Sequence, residues 1–398
     1  MDREERVADR KNLIMIPYGR QDISQADIDE VVGVLRSDFL TQGPQVPRFE
    51  KAVREKVGTD YALAVNSATS ALHIACLALE LSDGDLLWTS PITFVASANC
   101  GLYCGADVDF IDIDPRNFNL CPTALEAKLV EAEAVDRLPK VVVVVHMCGQ
   151  SADMEKIAAL GNRYGFHIVE DASHAIGGEY QGAYIGNCRF SDIVVFSFHP
   201  VKIITTAEGG MAVTNDPVLA QKMELYRSHG VTRDPSLMTR EPDGPWYYQQ
   251  VDLGYNYRMT DLQAALGLSQ MHRLDAFVTR RHELAERYDR LLNELPLVTP
   301  WRADETYSAF HLYVVRLRLD KITQLRREVF EALRAMGIGI NVHYIPVHTQ
   351  PHYSAMGFKL GDYPEAERYY EQAISLPLFA TMTNDQQDKV VQALQKVL

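Results

Sequence analysis

Residues 140–146 read KVVVVVH, five valines in succession. β-Branched side chains favour extended backbone, and successive residues of a strand point to opposite faces. A run that is apolar on both faces needs cover on both faces, which is the position of a strand in a parallel sheet between helical layers. Similar short runs recur at 61–65 (YALAV), 85–89 (DLLWT), 107–113 (DVDFIDI), 166–172 (FHIVEDA), 192–198 (DIVVFSF) and 209–215 (GGMAVTN). Apolar residues at helical spacing occupy 27–36, 68–80, 122–134 and 153–163. This alternation predicts an α/β fold with a mostly parallel sheet flanked by helices.

The segment SDFLTQGPQVPRFE reads as a loop after the first helix, and the pattern from about Thr260 to Leu295 reads as one long helix with a bend. Beyond residue 300 the punctuation changes. A strand-like HLYVVRLRL, a helix over 322–335, the apolar IGINVHYIP and a final helix over 383–397 predict a smaller C-terminal α+β domain. The expected boundaries are a loose tail over 1–14, a large domain over 15–270 and a small one over 271–398.

Charge narrows the partners. Lys and Arg total 39 against 53 Asp and Glu, a net charge of −14, with no basic block. Nucleic acid is therefore not expected as a main partner, although a local phosphate pocket remains compatible. No stretch reaches the roughly 18 apolar residues of a membrane span. The opening MDREERVADRKN lacks an apolar targeting core, and the six cysteines form no CxxC pair. Cys76, within the apolar ALHIACLALE, reads as a core residue. Together these point to a reducing, cytoplasmic setting.

Three features carry chemistry. AVNSATSALHIA (64–75) is a strand, a small-residue turn and a helix, and a helix N-terminus offers free N–H groups to an anion. There Ala68 and Thr69 would supply backbone donors, and the Thr69 hydroxyl a further one. HIVEDASHAIGG (167–178) places Asp171 at the carboxyl end of a buried strand, where open parallel sheets bind ligands. A buried carboxylate needs a cation, and a protonated pyridine nitrogen is one. His174, three residues on, can reach that ring's phenolic oxygen. The third feature is FSFHPVKIITTAEGGM (196–211), in which Lys202 follows an apolar strand 31 residues after Asp171. Desolvation lowers a lysine's proton affinity, and a neutral amine forms Schiff bases with carbonyls. Ser197 is placed to help hold a phosphate, and Phe94, in SPITFVASAN, to lie against a flat ring. No GxGxxG opens a helix, so a nicotinamide-binding reading fails.

LTQGPQVPRFE, NSATSALHIA, TFVASAN, EDASHAIG, FSFHPVK…TAEGG and GYNYRMTDLQAALG together resemble the DegT–StrS family of sugar-nucleotide aminotransferases, over nearly the whole chain from about Tyr18. The resemblance implies pyridoxal-phosphate (PLP) fold type I, the aspartate-aminotransferase-like fold. It implies Lys202 as the catalytic Schiff-base lysine, Asp171 as the pyridinium partner and His174 at the ring oxygen. Ala68, Thr69 and Ser197 match phosphate-site positions, and Phe94 the stacking aromatic. Asn256 corresponds to an asparagine donated across a homodimer with shared active sites. Implied substrate contacts are Tyr18, Asp38, Phe39, Leu40, Thr41, His343, Tyr344, Ile345 and Pro346, with Arg258 facing a substrate phosphate or carboxylate, and Ala68, Ser197 and Asn256 shared with the cofactor site.

The implied reaction transfers an amino group from L-glutamate to C4 of a UDP-linked 4-keto-6-deoxy-N-acetylhexosamine. The alternatives are another nucleotide-sugar 3- or 4-aminotransferase, or a non-catalytic relative that senses PLP or sugar nucleotide. Many relatives carry Gly-Glu-Gly-Gly after the lysine, where this chain has Ala207 in place of the first glycine. One branch dehydrates sugars with histidine in place of the lysine, whereas this chain keeps Lys202. No metal is expected: His343, His348 and His352 lie in HYIPVHTQPHY, which its two prolines make strand and loop.

Overall fold

The structure, a computed structural model, describes residues 15–398; the expected tail over 1–14 lies outside the described residues. Seven strands form the large sheet: β1 (Tyr61–Val65), β2 (Leu86–Thr89), β3 (Asp107–Phe110), β4 (Val141–Val145), β5 (His167–Asp171), β6 (Ile193–Ser197) and β7 (Gly210–Thr214). Their spatial order is β1-β7-β6-β5-β4-β2-β3. The run from β6 to β3 is parallel, and β7 is antiparallel to both of its neighbours.

The valine run explains the layering. Val141 and Val143 pack in one cluster with Leu72, Ile74 and Ala75 of the helix Ala68–Ala78. Val142 and Val144 face the other way, into Leu125, Leu129 and Ile157 of the helices Pro122–Ala134 and Met154–Tyr164. One strand thus holds two cores, which is why it carries no polar position.

A smaller antiparallel sheet joins β8 (Leu297–Val298), β9 (Tyr313–Leu317) and β10 (Ala373–Leu376), in the order β8-β9-β10. It packs with the helices Leu274–Leu292, Arg326–Ala335 and Asn384–Val397 in a core of its own. Ile16 belongs to that core and bridges to Ile338, and the Leu378 amide donates to the Tyr18 carbonyl at 3.0 Å. Tyr18 therefore reaches the sheet edge from the small-sheet side.

Several expectations need correction. The segment read as a loop contains a helix, Gln45–Val57, which buries Phe49, Val53 and Val57 at four-residue spacing. Pro44 and Pro47 hid it, yet a proline is tolerated in the first helical turn. The pattern from Thr260 to Leu295 is two helices, Asp261–Met271 and Leu274–Leu292, separated at His272 and Arg273. HYIPVHTQPHY contributes no strand; after an irregular stretch it forms a 3₁₀ turn, Val347–Thr349, and a short helix, Pro351–Ser354. The helices Ala96–Tyr103, Pro217–Arg227 and Pro364–Gln372 were not foreseen. The first of these, ASANCGLY, is short and mostly small residues, so it has little periodicity to read.

Candidate active site

The strand register brings the chemistry to one edge. Asp171 ends β5 beside Val145 and Val195, and Ser197 ends β6 beside Gly210. β1 runs in the same direction as β6 and delivers the start of the helix Ala68–Ala78 to that edge. A cavity of about 430 Å³ opens there. Lys202, Asp171, His174, Ser197, Ala68, Thr69 and Phe94, which the sequence placed in one site, all line it.

Lys202 sits in the β6–β7 connection, which the threonines close. The Thr206 amide and the Thr205 hydroxyl both donate to the Phe198 carbonyl at 3.0 Å, and the Thr206 hydroxyl donates to the Glu208 carbonyl at 2.7 Å. Ile203 and Ile204 anchor the turn in the core. The backbone turn that carries Lys202 is therefore held in place. Burial pushes the pKa of its amine down to about 8, while the charge of Asp171 pulls it part of the way back up.

Asp171 is 6% exposed. Its Oδ2 accepts from Ser97 Oγ at 2.6 Å and its Oδ1 from the Ser173 amide at 3.1 Å. Ser97 is itself held by Thr93 Oγ1 at 2.7 Å. The sequence reading missed Ser97 and Thr93. Both lie in the quoted SPITFVASAN, but only helix formation at Ala96 turns Ser97 toward the acid.

At the helix start, the Ser67 side chain caps by accepting from the Ser70 amide at 3.1 Å. Ala68 and Thr69 occupy the first two helical positions, whose N–H groups have no intrahelical acceptor. β7 approaches closely here: a Cβ on Gly210 would lie 2.5 Å from the Ala68 nitrogen. Only glycine allows β7 to approach the start of this helix so closely.

Four histidines line the same cavity; His199 is exposed, whereas His174, His311 and His343 are buried, and burial lowers the proton affinity of these three. His174 Nδ1 accepts from the Cys148 amide at 3.3 Å, and its Nε2 lies 3.1 Å from the Tyr344 hydroxyl. His311, which the sequence reading missed, has its ring 4.4 Å from that of His174 and tilted by 46° to it, and its buried Nδ1 has no partner among the described residues. It lies just before β9, where nothing local marks it as functional. His343 Nδ1 bonds Ser375 Oγ at 2.7 Å, and its pKa falls to about 4. Tyr18 and Tyr344 complete this wall, and Phe94, largely exposed, has its ring 6.3 Å from that of Tyr344.

Other expected contacts are not at the cavity. Leu40 and Thr41 are tied to Asp261 and Thr260, and Phe39 and Leu40 are exposed. Asp38, Phe39, Leu40 and Thr41 do not line the cavity. Asn256 is exposed and bridges Ser228, and Arg258 bridges Val65; neither lines the cavity. Of the four residues His343, Tyr344, Ile345 and Pro346, the first two line it, whereas Ile345 is exposed and Pro346 buried elsewhere. His348 is bonded to Glu367 at 3.0 Å, away from His343.

This donor set fits PLP. The open helix end and the Ser197 hydroxyl suit a phosphate, the Asp171 carboxylate a cationic ring nitrogen, and Lys202 an aldehyde. Gly210 lets β7 pack directly against the Ser67–Ala68 peptide, which fixes the helix start beside Ser197.

Comparison with known proteins agrees. Residues 21–395 match the model of the DegT/DnrJ/EryC1/StrS aminotransferase family. The spore coat polysaccharide biosynthesis protein SpsC of Bacillus subtilis is 40% identical over 98% of this chain and 98% of its own. The UDP-4-amino-4,6-dideoxy-N-acetyl-β-L-altrosamine transaminase of Campylobacter jejuni strain 81-176 is 38% identical over 92% and 93%. Helicobacter pylori PseC, an aminotransferase of pseudaminic acid biosynthesis, superposes with TM-score 0.86 at 33% identity, covering 96% of this chain and 99% of that one. Streptococcus pneumoniae Spr1654 in its PLP form does so with TM-score 0.86 at 29% identity, covering 96% and 100%.

Proposed function

Because this chain belongs to the DegT/DnrJ/EryC1/StrS aminotransferase family and is a PLP-dependent aminotransferase, we propose that it transfers the amino group of L-glutamate to C4 of a UDP-linked 4-keto-6-deoxy-N-acetylhexosamine. The product would be UDP-4-amino-4,6-dideoxy-N-acetyl-β-L-altrosamine, a step of pseudaminic acid biosynthesis. The observation that carries the acceptor is the near full-length likeness to the Campylobacter jejuni transaminase. Its likeness to SpsC, of similar extent, supports a second reading in which the acceptor is another nucleotide sugar.

In this reading the residues have separate tasks. PLP, when bound, supplies an aldehyde that exchanges amines and a ring that takes up electron density from the neighbouring carbon. Ala68, Thr69 and Ser197 hold its phosphate, and Phe94 covers a ring face. Asp171, oriented by Ser97, keeps a negative charge opposite the ring nitrogen. Lys202 holds the aldehyde carbon at rest. Once displaced by the amino donor, its Nζ takes up and returns the transferred proton, a role suited to an amine with pKa about 8. His174, His311 and His343, held neutral by burial, line the site without adding cationic repulsion.

Asp38–Thr41, Asn256 and Arg258 serve, in the same proposal, the neighbouring site of a homodimer. The division at residue 270 and a cytoplasmic location also belong to it; among the described residues no helix is long and apolar enough to cross a membrane. The test is incubation with glutamate and a panel of UDP- and dTDP-linked 4-keto-6-deoxyhexoses, reading the configuration of each aminated product. Turnover of the UDP-linked L-altro precursor supports the assignment, and turnover of another acceptor in its place transfers it to the second reading.

A further inference from the structure

Three thiols converge between two helices, away from the cavity. Cys76, on the helix Ala68–Ala78, and Cys100, on the helix Ala96–Tyr103, are fully buried. Cys104 forms the C-cap of the second helix and is partly exposed, and all three are free. The Cys76 thiol is in hydrogen-bond contact with Cys100 and Cys104. Cys100 Sγ also donates to the Ser97 carbonyl of its own helix at 3.3 Å. His73 stands three residues before Cys76, on the same helix face. Tyr103 and Tyr255 pack its ring at 5.5 and 4.8 Å, and its Nδ1 lies 3.1 Å from the Tyr257 hydroxyl. Its buried Nε2 has no hydrogen-bond partner among the described residues, and Cys104 faces it. Among the described residues no three of these side chains are placed to hold a metal ion, so the chemistry open to the cluster is that of its thiols.

We propose that Cys104 and Cys76 form an oxidisable pair, in which Cys104 is the sulfur that meets a peroxide and Cys76 the one that closes a disulfide. The surroundings divide these roles. The hydrogen bond from Cys76, with His73 alongside, holds the Cys104 thiol below the usual range against its partial burial, toward the nucleophilic thiolate. Cys76, hydrogen-bonded to Cys100 and Cys104 and buried, is held well above that range and keeps its proton. Burial alone pushes Cys148 and Cys188 up, which makes them poor competitors. In the first step the Cys104 thiolate attacks one peroxide oxygen, the O–O bond breaks, and hydroxide leaves to become water. In the second the Cys76 sulfur attacks the Cys104 sulfenic acid, an S–S bond replaces the S–O bond, and the Cys76 proton leaves with the hydroxyl as water. Two thiols are oxidised and one peroxide is reduced. The bond would join the helix that begins at Ala68 and Thr69 to the helix whose Ser97 holds Asp171. This thiol chemistry stands or falls independently of the aminotransferase reading.

The test treats the full chain, as purified, with hydrogen peroxide, alkylates the remaining thiols and maps the peptides by mass spectrometry without reduction. The expected product is a Cys76–Cys104 disulfide, a loss of two hydrogens per chain that dithiothreitol reverses. Cys76→Ala, a small change at a core position, leaves the sulfenic acid without its partner, so dimedone labels Cys104 in that variant and not in wild type at the same exposure. Cys104→Ser leaves Cys76 reduced. Wild-type protein whose Cys76 and Cys104 both stay open to alkylation under peroxide that oxidises free cysteine overturns the proposal. So does a disulfide through Cys100, or oxidation of Cys148 or Cys188 ahead of Cys104.

Discussion

Ser97 Oγ lies 2.6 Å from Asp171 Oδ2, joining a helix that the sequence pattern did not reveal to the acid that it did. The contact orients the carboxylate that faces the cofactor ring in our proposal. Ser97→Ala removes one of two donors to that group. A hydrogen bond to a charged group contributes about 1.5–3 kcal/mol, so kcat falls roughly tenfold or more with KM for the sugar little changed. Steady-state kinetics decide; an unaltered kcat would show that the hydroxyl is idle.

Gly210 should tolerate no side chain. Ala at this position places Cβ 2.5 Å from the backbone nitrogen of Ala68, where no flexible group can give way. Gly210→Ala therefore displaces the helix start, weakening PLP binding at least tenfold at a stability cost of about 1–3 kcal/mol. Fluorescence titration of the apoprotein with PLP measures the first effect, and wild-type affinity would refute the cradle.

Ala207 adopts φ 69°, in the left-handed region where a Cβ costs about 1–2 kcal/mol. Glycine removes that cost but adds chain entropy to the unfolded state of about 0.4–1 kcal/mol. The balance predicts that Ala207→Gly stabilises the protein by up to about 1.5 kcal/mol in urea unfolding. A loss of stability would contradict it.

Lys202 bears on stability as well as reactivity. With its folded pKa near 8 and an unfolded value near 10.4, the folded state binds this proton more weakly. The penalty is complete below pH 8 and fades as pH rises toward the unfolded value, because in that window the unfolded chain holds more protons. Lys202→Met should thus stabilise the apoprotein by on the order of 2–3 kcal/mol at pH 7, with the advantage vanishing above about pH 10.5. Urea unfolding of both proteins at pH 7 and pH 10 tests the sign.

The sheet was legible because its strands are apolar on both faces, and Asp171, Ser197 and Lys202 could be read because each stands just where such a run ends. Residues positioned by tertiary contact were not legible. His311 precedes β9 and joins the cavity only when the small sheet packs against the large one. Ser97 depends on a helix of small residues, and Tyr18 reaches the cavity through a segment that packs with Ile338 and Leu378. The helix Gln45–Val57 was obscured by its prolines, although Phe49, Val53 and Val57 carried its period.

The account turns on one covalent attachment point. Borohydride reduction of the PLP-loaded protein, followed by peptide mass spectrometry, reads it directly. A pyridoxyl adduct on Lys202, and on no other lysine in stoichiometric amount, is the expected result. A colourless protein after PLP addition, or an adduct on a different lysine, would contradict the account.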